Sequence, residues 1–162
     1  MIRAIQPSDI SAVTSIYNHY IGNTVITFEE EPLSPEEISQ RVEKVTSDYP
    51  WIVCEENGIV VGYSYASRFR ERAAYRYTVE TTVYIDKDHV GKGSGLSLYR
   101  ELVGRLKASE FKVALGGIAL PNPASVGLHE KLGFKKVAHL TDVGFKFEQW
   151  VDVGYWELQL RK

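Results

Sequence analysis

The chain has 162 residues, 44% of them hydrophobic and 25% charged, a length and composition that fit one folded domain with a substantial core. Its 19 basic and 21 acidic side chains leave a formal net charge of −2, which excludes the broad positive field of a non-specific nucleic-acid or anionic-membrane binder and leaves only local basic patches. The start "MIRAIQPSDI" has no secretory-signal pattern, no apolar run reaches the length of a membrane span, and the one cysteine, Cys54, excludes an internal disulfide, so a cytoplasmic protein is expected.

"MIRAI" alternates like an edge strand. In "PSDISAVTSIYNHYIG" Ser8 is typed as an N-cap, Ile10, Val13, Ile16, Tyr17 and Tyr20 share one helical face, and Gly22 is placed to end the helix. "TVITFEEEP" is irregular, and "SPEEISQRVEKVTSDYP" is a second helix capped by Ser34, with Pro35 in its first turn. "WIVCEENGIVVGYSYASRF" is a hairpin turning at Asn57-Gly58, and Cys54 sits in its first strand as a small buried hydrophobe. "YRYTVETTVYID" is a third β-rich run.

The helix in "GLSLYRELVGRLKASE" buries Leu98, Tyr99, Leu102, Val103 and Leu106. "FKVALGGIAL" is a strand, "NPASVGLHEKLGF" a short helix stopped by Gly133, and the last 28 residues hold two strands separated near Asp142 to Gln149. The order β-α-α-β-β-β-α-β-α-β-β gives an α/β (α+β) domain with a mixed sheet. Its strand–helix–strand unit is locally parallel and its hairpins are antiparallel.

The stretch "HVGKGSGL" lies between a strand and a helix start, where free N–H groups and the helix dipole favour an anion and glycine lets the backbone approach it. It is not a P-loop, because Asp86 stands five residues before Gly91 and Gly93 follows Lys92. Nor is it a dinucleotide fingerprint, because Gly91, Gly93 and Gly95 are spaced G-x-G-x-G. Taken alone, the loop favours an anion, with tight turning and no ligand as the alternative.

Together with "TVETTVYI" before it and "LPNPASVGLHEKLGF" after it, the loop resembles the GNAT superfamily of N-acetyltransferases. "IYNHYI", "TFEEEP", "RAAYRYTVETTVYI" and "GFKFEQWVDVGYW" extend the resemblance to its phosphinothricin and methionine sulfoximine N-acetyltransferases. The resemblance implies the GNAT fold, acetyl-CoA as co-substrate, a small-molecule amino acid acceptor and a homodimer, with no nucleic-acid or membrane partner.

It also implies roles. The main chain of Val83, Tyr84 and Ile85 would pair with pantetheine, as an added strand would. Gly91, Lys92, Gly93, Ser94, Gly95 and Leu96 would cover the pyrophosphate, and Asn122 and Ser125 would touch acetyl-CoA. Val90 departs from the pattern, since a polar Arg or Gln is usual there. Glu80, in a half-buried strand that favours a raised pKa, is the general-base candidate. His129, seven residues beyond Asn122 and so about two helical turns on, is the general-acid candidate, with a packed helix histidine as the alternative.

Acyl transfer by direct attack needs no nucleophilic Ser or Cys, which matches the lack of such a signature. The acceptor side maps onto Arg70, Glu71, Arg72, Glu80, Thr81 and Thr82, with Phe28 as a wall of the pocket or, alternatively, a core aromatic. Arginines suit carboxylate and phosphinate oxygens because they bind them bidentately. Lys146, Trp150 and Asp152 match a family pattern but receive no role. His19, His89 and His139 lack ligand spacing, so no metal site is expected. The alternatives are acetylation of another amine, such as a polyamine or a protein N-terminus, and a non-catalytic CoA-binding module.

Overall fold

The apolar periods resolve into seven strands and four helices in the computed structural model, which describes residues 1–161. In chain order they are β1 (Ile2–Ala4), α1 (Ile10–Asn23), α2 (Pro35–Thr46), β2 (Trp51–Glu56), β3 (Ile59–Arg68), β4 (Thr78–Ile85), α3 (Ser94–Lys107), β5 (Val113–Leu120), α4 (Pro123–Lys131), β6 (Lys135–Lys146) and β7 (Gln149–Gln159). No helix among the described residues is long and apolar enough to cross a membrane.

Several local signals act as expected. The Ser34 hydroxyl accepts from Glu37 N at 3.2 Å while the Glu37 carboxylate accepts from Ser34 N at 2.7 Å, a reciprocal cap on α2. Asn57 and Gly58 take the positive φ angles (51° and 78°) that a two-residue hairpin turn requires. Gly133 stops α4 with φ 92°.

Four boundaries differ from the sequence reading. Ser8 is exposed and does not cap α1. Asp9 turns back instead to accept from Gln6 N at 2.8 Å, and Arg3 forks onto its carboxylate at 2.8 and 3.0 Å while also reaching Glu55 at 2.6 Å. Gly22 lies inside the last turn of α1, which runs to Asn23 and ends where Thr24 becomes extended and places its N–H and hydroxyl on Tyr20 O. The third β-rich run begins only at Thr78, because Ala73–Tyr75 winds into a 3-10 turn. The break between β6 and β7 shrinks to Phe147 and Glu148, which adopt φ 52° and 59°.

The sheet order is β1-β2-β3-β4-β5-β7-β6. Every neighbouring pair is antiparallel except β4 and β5, the strands that flank α3. Strand alternation sends side chains to two layers. On one face Ile52, Cys54, Val61 and Val79 pack with Leu98, Tyr99, Leu102, Val103 and Leu106 of α3, the full helical stripe read from the sequence. On the other face Trp51, Val53 and Tyr63 pack with Val13 and Ile16 of α1 and Ile38 and Val42 of α2. There Trp51 stacks on Tyr65 (4.0 Å between centroids), and Tyr84 packs against Tyr17, Tyr20 and Tyr63. Cys54 is buried, and burial raises its thiol pKa, so it is a neutral core residue.

Leu102 is fully buried at the centre of the α3 layer. Leu102→Ala is expected to lower unfolding free energy by about 2–5 kcal/mol. Urea unfolding of the two proteins measures this directly, and a loss below 1 kcal/mol would contradict the packing described.

Candidate active site

β4 and β5 are paired over only three residues each, Thr78–Glu80 against Val113–Leu115. Beyond that point β4 keeps its ladder to β3 through Ile85, and β5 keeps its ladder to β7 through Leu120. The strands therefore fork, and the main-chain groups of β4 that face the fork have no strand partner. One of these groups is answered locally, since the Tyr20 hydroxyl donates to Ile85 O at 2.5 Å.

A cleft of about 540 Å³ opens at the fork. Val83, Tyr84 and Ile85 line one side, Gly91, Gly93, Gly95 and Leu96 another, and Asn122 and Ser125 a third. The sequence candidates for cofactor binding thus converge, with two corrections. The Lys92 ammonium turns back to Asp88 O at 3.2 Å, and the Ser94 hydroxyl donates to Glu56 at 2.8 Å. Neither side chain joins the cleft lining, so the loop offers main chain rather than side-chain charge.

Gly91 and Gly93 hold φ 77° and 89°, a region that costs other residues roughly 1–2 kcal/mol. Gly93 is the N-cap of α3 and supplies no side-chain acceptor, so the first-turn N–H groups of that helix remain available for an anion. Val90 lines the same cleft half exposed, in place of a polar anchor. The unpaired strand edge and the uncapped helix start fit an elongated ligand with amides at one end and phosphate at the other. Asn122 also caps α4, its Oδ1 accepting from Ser125 N at 3.2 Å.

A smaller cavity of about 80 Å³ continues into the fork, lined by Thr81–Tyr84, Gly117–Ala119 and His129. His129 is 4% exposed. Its Nδ1 lies 2.7 Å from Ser125 O, which only accepts, so Nδ1 carries the proton. Nε2 then accepts from the Tyr99 hydroxyl at 2.9 Å, and burial lowers the imidazole pKa, keeping the ring neutral. In this arrangement both ring nitrogens are engaged, as in the packed-histidine alternative, while the ring still borders the inner cavity.

The acceptor candidates divide by strand parity. Tyr84 packs on α1, so Glu80 and Thr82 share its face, and Val79 and Thr81 face α3. Thr81 is consequently not an acceptor contact, because its buried hydroxyl bonds to Tyr99 on the far side of the sheet. Glu80 is half-buried, and desolvation pushes its carboxyl pKa up, opposed by the positive charge of Arg70.

Arg70 itself stacks over Phe69 and Tyr75. Glu71 is exposed and paired with Arg68 at 2.7 Å, and Arg72 is exposed at the start of the 3-10 turn. Tyr155, missed by sequence reasoning, lies over Gly117 and feels the charges of both Glu80 and Arg70. Its only sequence signal was its place two residues beyond Val153 in an alternating strand. Among the described residues no group of three His, Cys, Asp or Glu is placed to hold a metal ion.

The three unassigned C-terminal residues now have contacts. Lys146 is buried and its ammonium donates to Thr27 O at 2.8 Å, tying the Thr24–Pro32 segment to β6. Beside it Phe28 lies on Gly144, where an added Cβ would sit 2.3 Å from the ring, so Phe28 packs on β6 with much of its ring exposed rather than in the core. Trp150 is exposed and packs on Phe145, and Asp152 accepts from His139 at 2.8 Å and from Asp142 N at 2.9 Å.

Comparison with known proteins agrees with this geometry. Residues 2–154 match the family model described as an acetyltransferase (GNAT) domain. A phosphinothricin N-acetyltransferase of Streptomyces viridochromogenes is 40% identical, over 96% of this chain and 85% of its own. An L-methionine sulfoximine/L-methionine sulfone acetyltransferase of Salmonella typhimurium is 35% identical, over 98% and 94%. The crystal structure of a phosphinothricin acetyltransferase from Sinorhizobium meliloti in complex with acetyl-CoA superposes with TM-score 0.95 at 37% identity, over 98% of this chain and 87% of that one.

Lys146→Met keeps the volume of the buried side chain but removes the donor to Thr27 O. The melting temperature is expected to shift by no more than about 4 °C while amide hydrogen exchange across Thr24–Pro32 accelerates. Unchanged exchange in that segment would show that the lysine does not anchor it.

Proposed function

Because the chain belongs to the GNAT acetyltransferase family, whose members are acetyl-CoA-dependent N-acetyltransferases, we propose that it acetylates the α-amino group of a small amino acid with a tetrahedral polar head, of the phosphinothricin, methionine sulfoximine or methionine sulfone type. The observation that carries this reading is Glu80: a half-buried carboxylate at the last paired residue before the fork, beside the Arg70 cation on the face opposite α3. The names of the relatives support the acceptor class.

Acetyl-CoA supplies the acetyl thioester. The main chain of Val83, Tyr84 and Ile85 and the free N–H groups from Gly91 to Leu96 hold its two polar regions, with Asn122 and Ser125 closing the third side. Glu80 takes the proton from the acceptor ammonium, directly or through one water, so that the neutral amine attacks the thioester carbonyl without an acyl-enzyme. The C–S bond breaks, and the CoA thiolate leaves and takes up, through solvent, the proton that the attacking nitrogen loses. Arg70 and Arg72 receive the acceptor's carboxylate and head-group oxygens, Thr82 lines the same face, and Phe28 covers it.

A homodimer acting in the cytoplasm completes the reading. The dimer is supported by the exposed Val137, Val143, Phe145, Phe147 and Trp150 on the β6–β7 hairpin, apolar side chains of the kind that self-association covers.

A thiol-release assay across amino acids, polyamines and peptides with free N-termini tests the acceptor class; preference for a polyamine or a peptide would overturn it. Glu80→Gln is expected to lower kcat by about 10²- to 10⁴-fold with acetyl-CoA affinity little changed. The sign with pH follows from the raised Glu80 pKa: wild-type kcat/KM falls as pH drops through it, because the base becomes protonated, and Glu80→Gln loses that limb. Wild-type turnover in the variant across the pH range would remove Glu80 as the base.

A further inference from the structure

The residues that follow the last β4–β5 pair are Thr81 and Gly116, and the ladder stops before they pair. What occupies that place is polar. The Tyr99 hydroxyl from α3 is hydrogen-bonded to Thr81 Oγ1 and donates to His129 Nε2 at 2.9 Å. Thr81 Oγ1 also lies 3.3 Å from Leu115 O, across the fork. The imidazole lies directly on Gly116, where an added Cβ would meet His129 Nε2 at 2.3 Å and the Tyr99 hydroxyl at 3.3 Å. Tyr99 packs edge-on against His129 and is stacked on Phe134.

The proton inventory closes. Ser125 O takes the Nδ1 proton, so Nε2 takes the Tyr99 proton, and the one Thr81 proton is shared between the Tyr99 oxygen and Leu115 O. The chain of donors runs in one direction from β4 to α4, and each hydroxyl and both ring nitrogens are used. An apolar trio of similar volume would fill the same space without desolvating two hydroxyls and an imidazole, whereas a fully satisfied buried network fixes one geometry.

We propose that Thr81, Tyr99 and His129 form a polar wedge on the α3 face of the fork that fixes the separation of β4 and β5 beyond Glu80, with Tyr99, fully buried and out of reach of any ligand, as its positioning residue. The wedge sets the width of the fork into which the thioester end of acetyl-CoA must enter, and thereby the distance from that end to Glu80. This rests on the acetyltransfer reading above, but the state of the wedge itself is measurable without ligand.

The test compares wild type with Tyr99→Phe, Thr81→Val and Thr81→Ser. Side-chain ¹H–¹⁵N spectra of the ligand-free protein should show His129 as the neutral Nδ1–H tautomer, with the Nε2 resonance shifted in Tyr99→Phe. Amide exchange at Thr81–Val83 and Gly116–Ile118 should accelerate at least 10-fold in Tyr99→Phe and Thr81→Val, with β2 and β3 unaffected. Thr81→Ser, which keeps the hydroxyl, should restore slow exchange.

With acetyl-CoA and the acceptor that turns over, the two hydroxyl-deleting variants should lose at least 10-fold in kcat, with acceptor KM changed less than threefold. Wild-type exchange in the fork, or a lowered melting temperature with wild-type kcat, would overturn the wedge. If the wild type transfers no acetyl group to any acceptor, the functional reading fails alone, and the exchange and tautomer data still decide the wedge.

Discussion

The site depends on the interruption of a single parallel ladder. β4 and β5 are the two strands joined through α3, and they stay bonded for only three residues each before separating. Neither strand frays there, because each is held on its other edge, β4 by β3 and β5 by β7. The free edges are therefore rigid and still carry unpaired main-chain groups, a combination that is costly in an empty core and useful in a cleft. The loop that leaves β4 meets the start of α3 at the mouth of this cleft, so strand edge and helix start address one elongated ligand from two directions.

Strand alternation then separates the tasks. Odd residues of β4 face α3 and even residues face α1. Val79 is core and Thr81 joins the buried hydroxyl chain, while Glu80 lies within the fields of Arg70 and Tyr155 and Thr82 lines the inner cavity with Ile26. Adjacent residues thus serve opposite faces. The Thr24–Pro32 segment is itself positioned by distant residues: Lys146 on Thr27 O, Gly144 under Phe28, and Arg41 paired with Glu29 at 2.6 Å. That segment is held by residues from both halves of the chain, and its shape belongs to the fold as a whole.

Much of this was legible in the residues. The stripe Leu98, Tyr99, Leu102, Val103, Leu106 named the buried face of α3 because a helix repeats every 3.6 residues wherever it packs. Asn57-Gly58 named the hairpin because few other residues tolerate its φ angles. Ser8 and Gly22 misled because each was a sound local signal overruled by a neighbour. Arg3 reaches Asp9 from another strand, and the Thr24 hydroxyl closes α1 one residue later. Lys92 and Ser94 misled differently: their types suit phosphate, but the helix start turns their side chains to Asp88 and Glu56.

What the sequence determined by itself was the order of elements, the parallel unit, the glycine loop at a helix start and, through its resemblance to a family, acetyl-CoA as the co-substrate. These are properties of local period, backbone freedom and residue type, which are written in consecutive positions. What only the tertiary structure decided was which side of β4 each residue serves, the neutral tautomer of His129, the place of Tyr155 beside Glu80 and the anchoring by Lys146. Each of those depends on a partner in another element or another turn of the chain, from Ser125 and His129, four residues apart, to Thr27 and Lys146, 119 residues apart. A proton's position or a carboxylate's desolvation is set by what folding brings within a few ångströms, which no local pattern records.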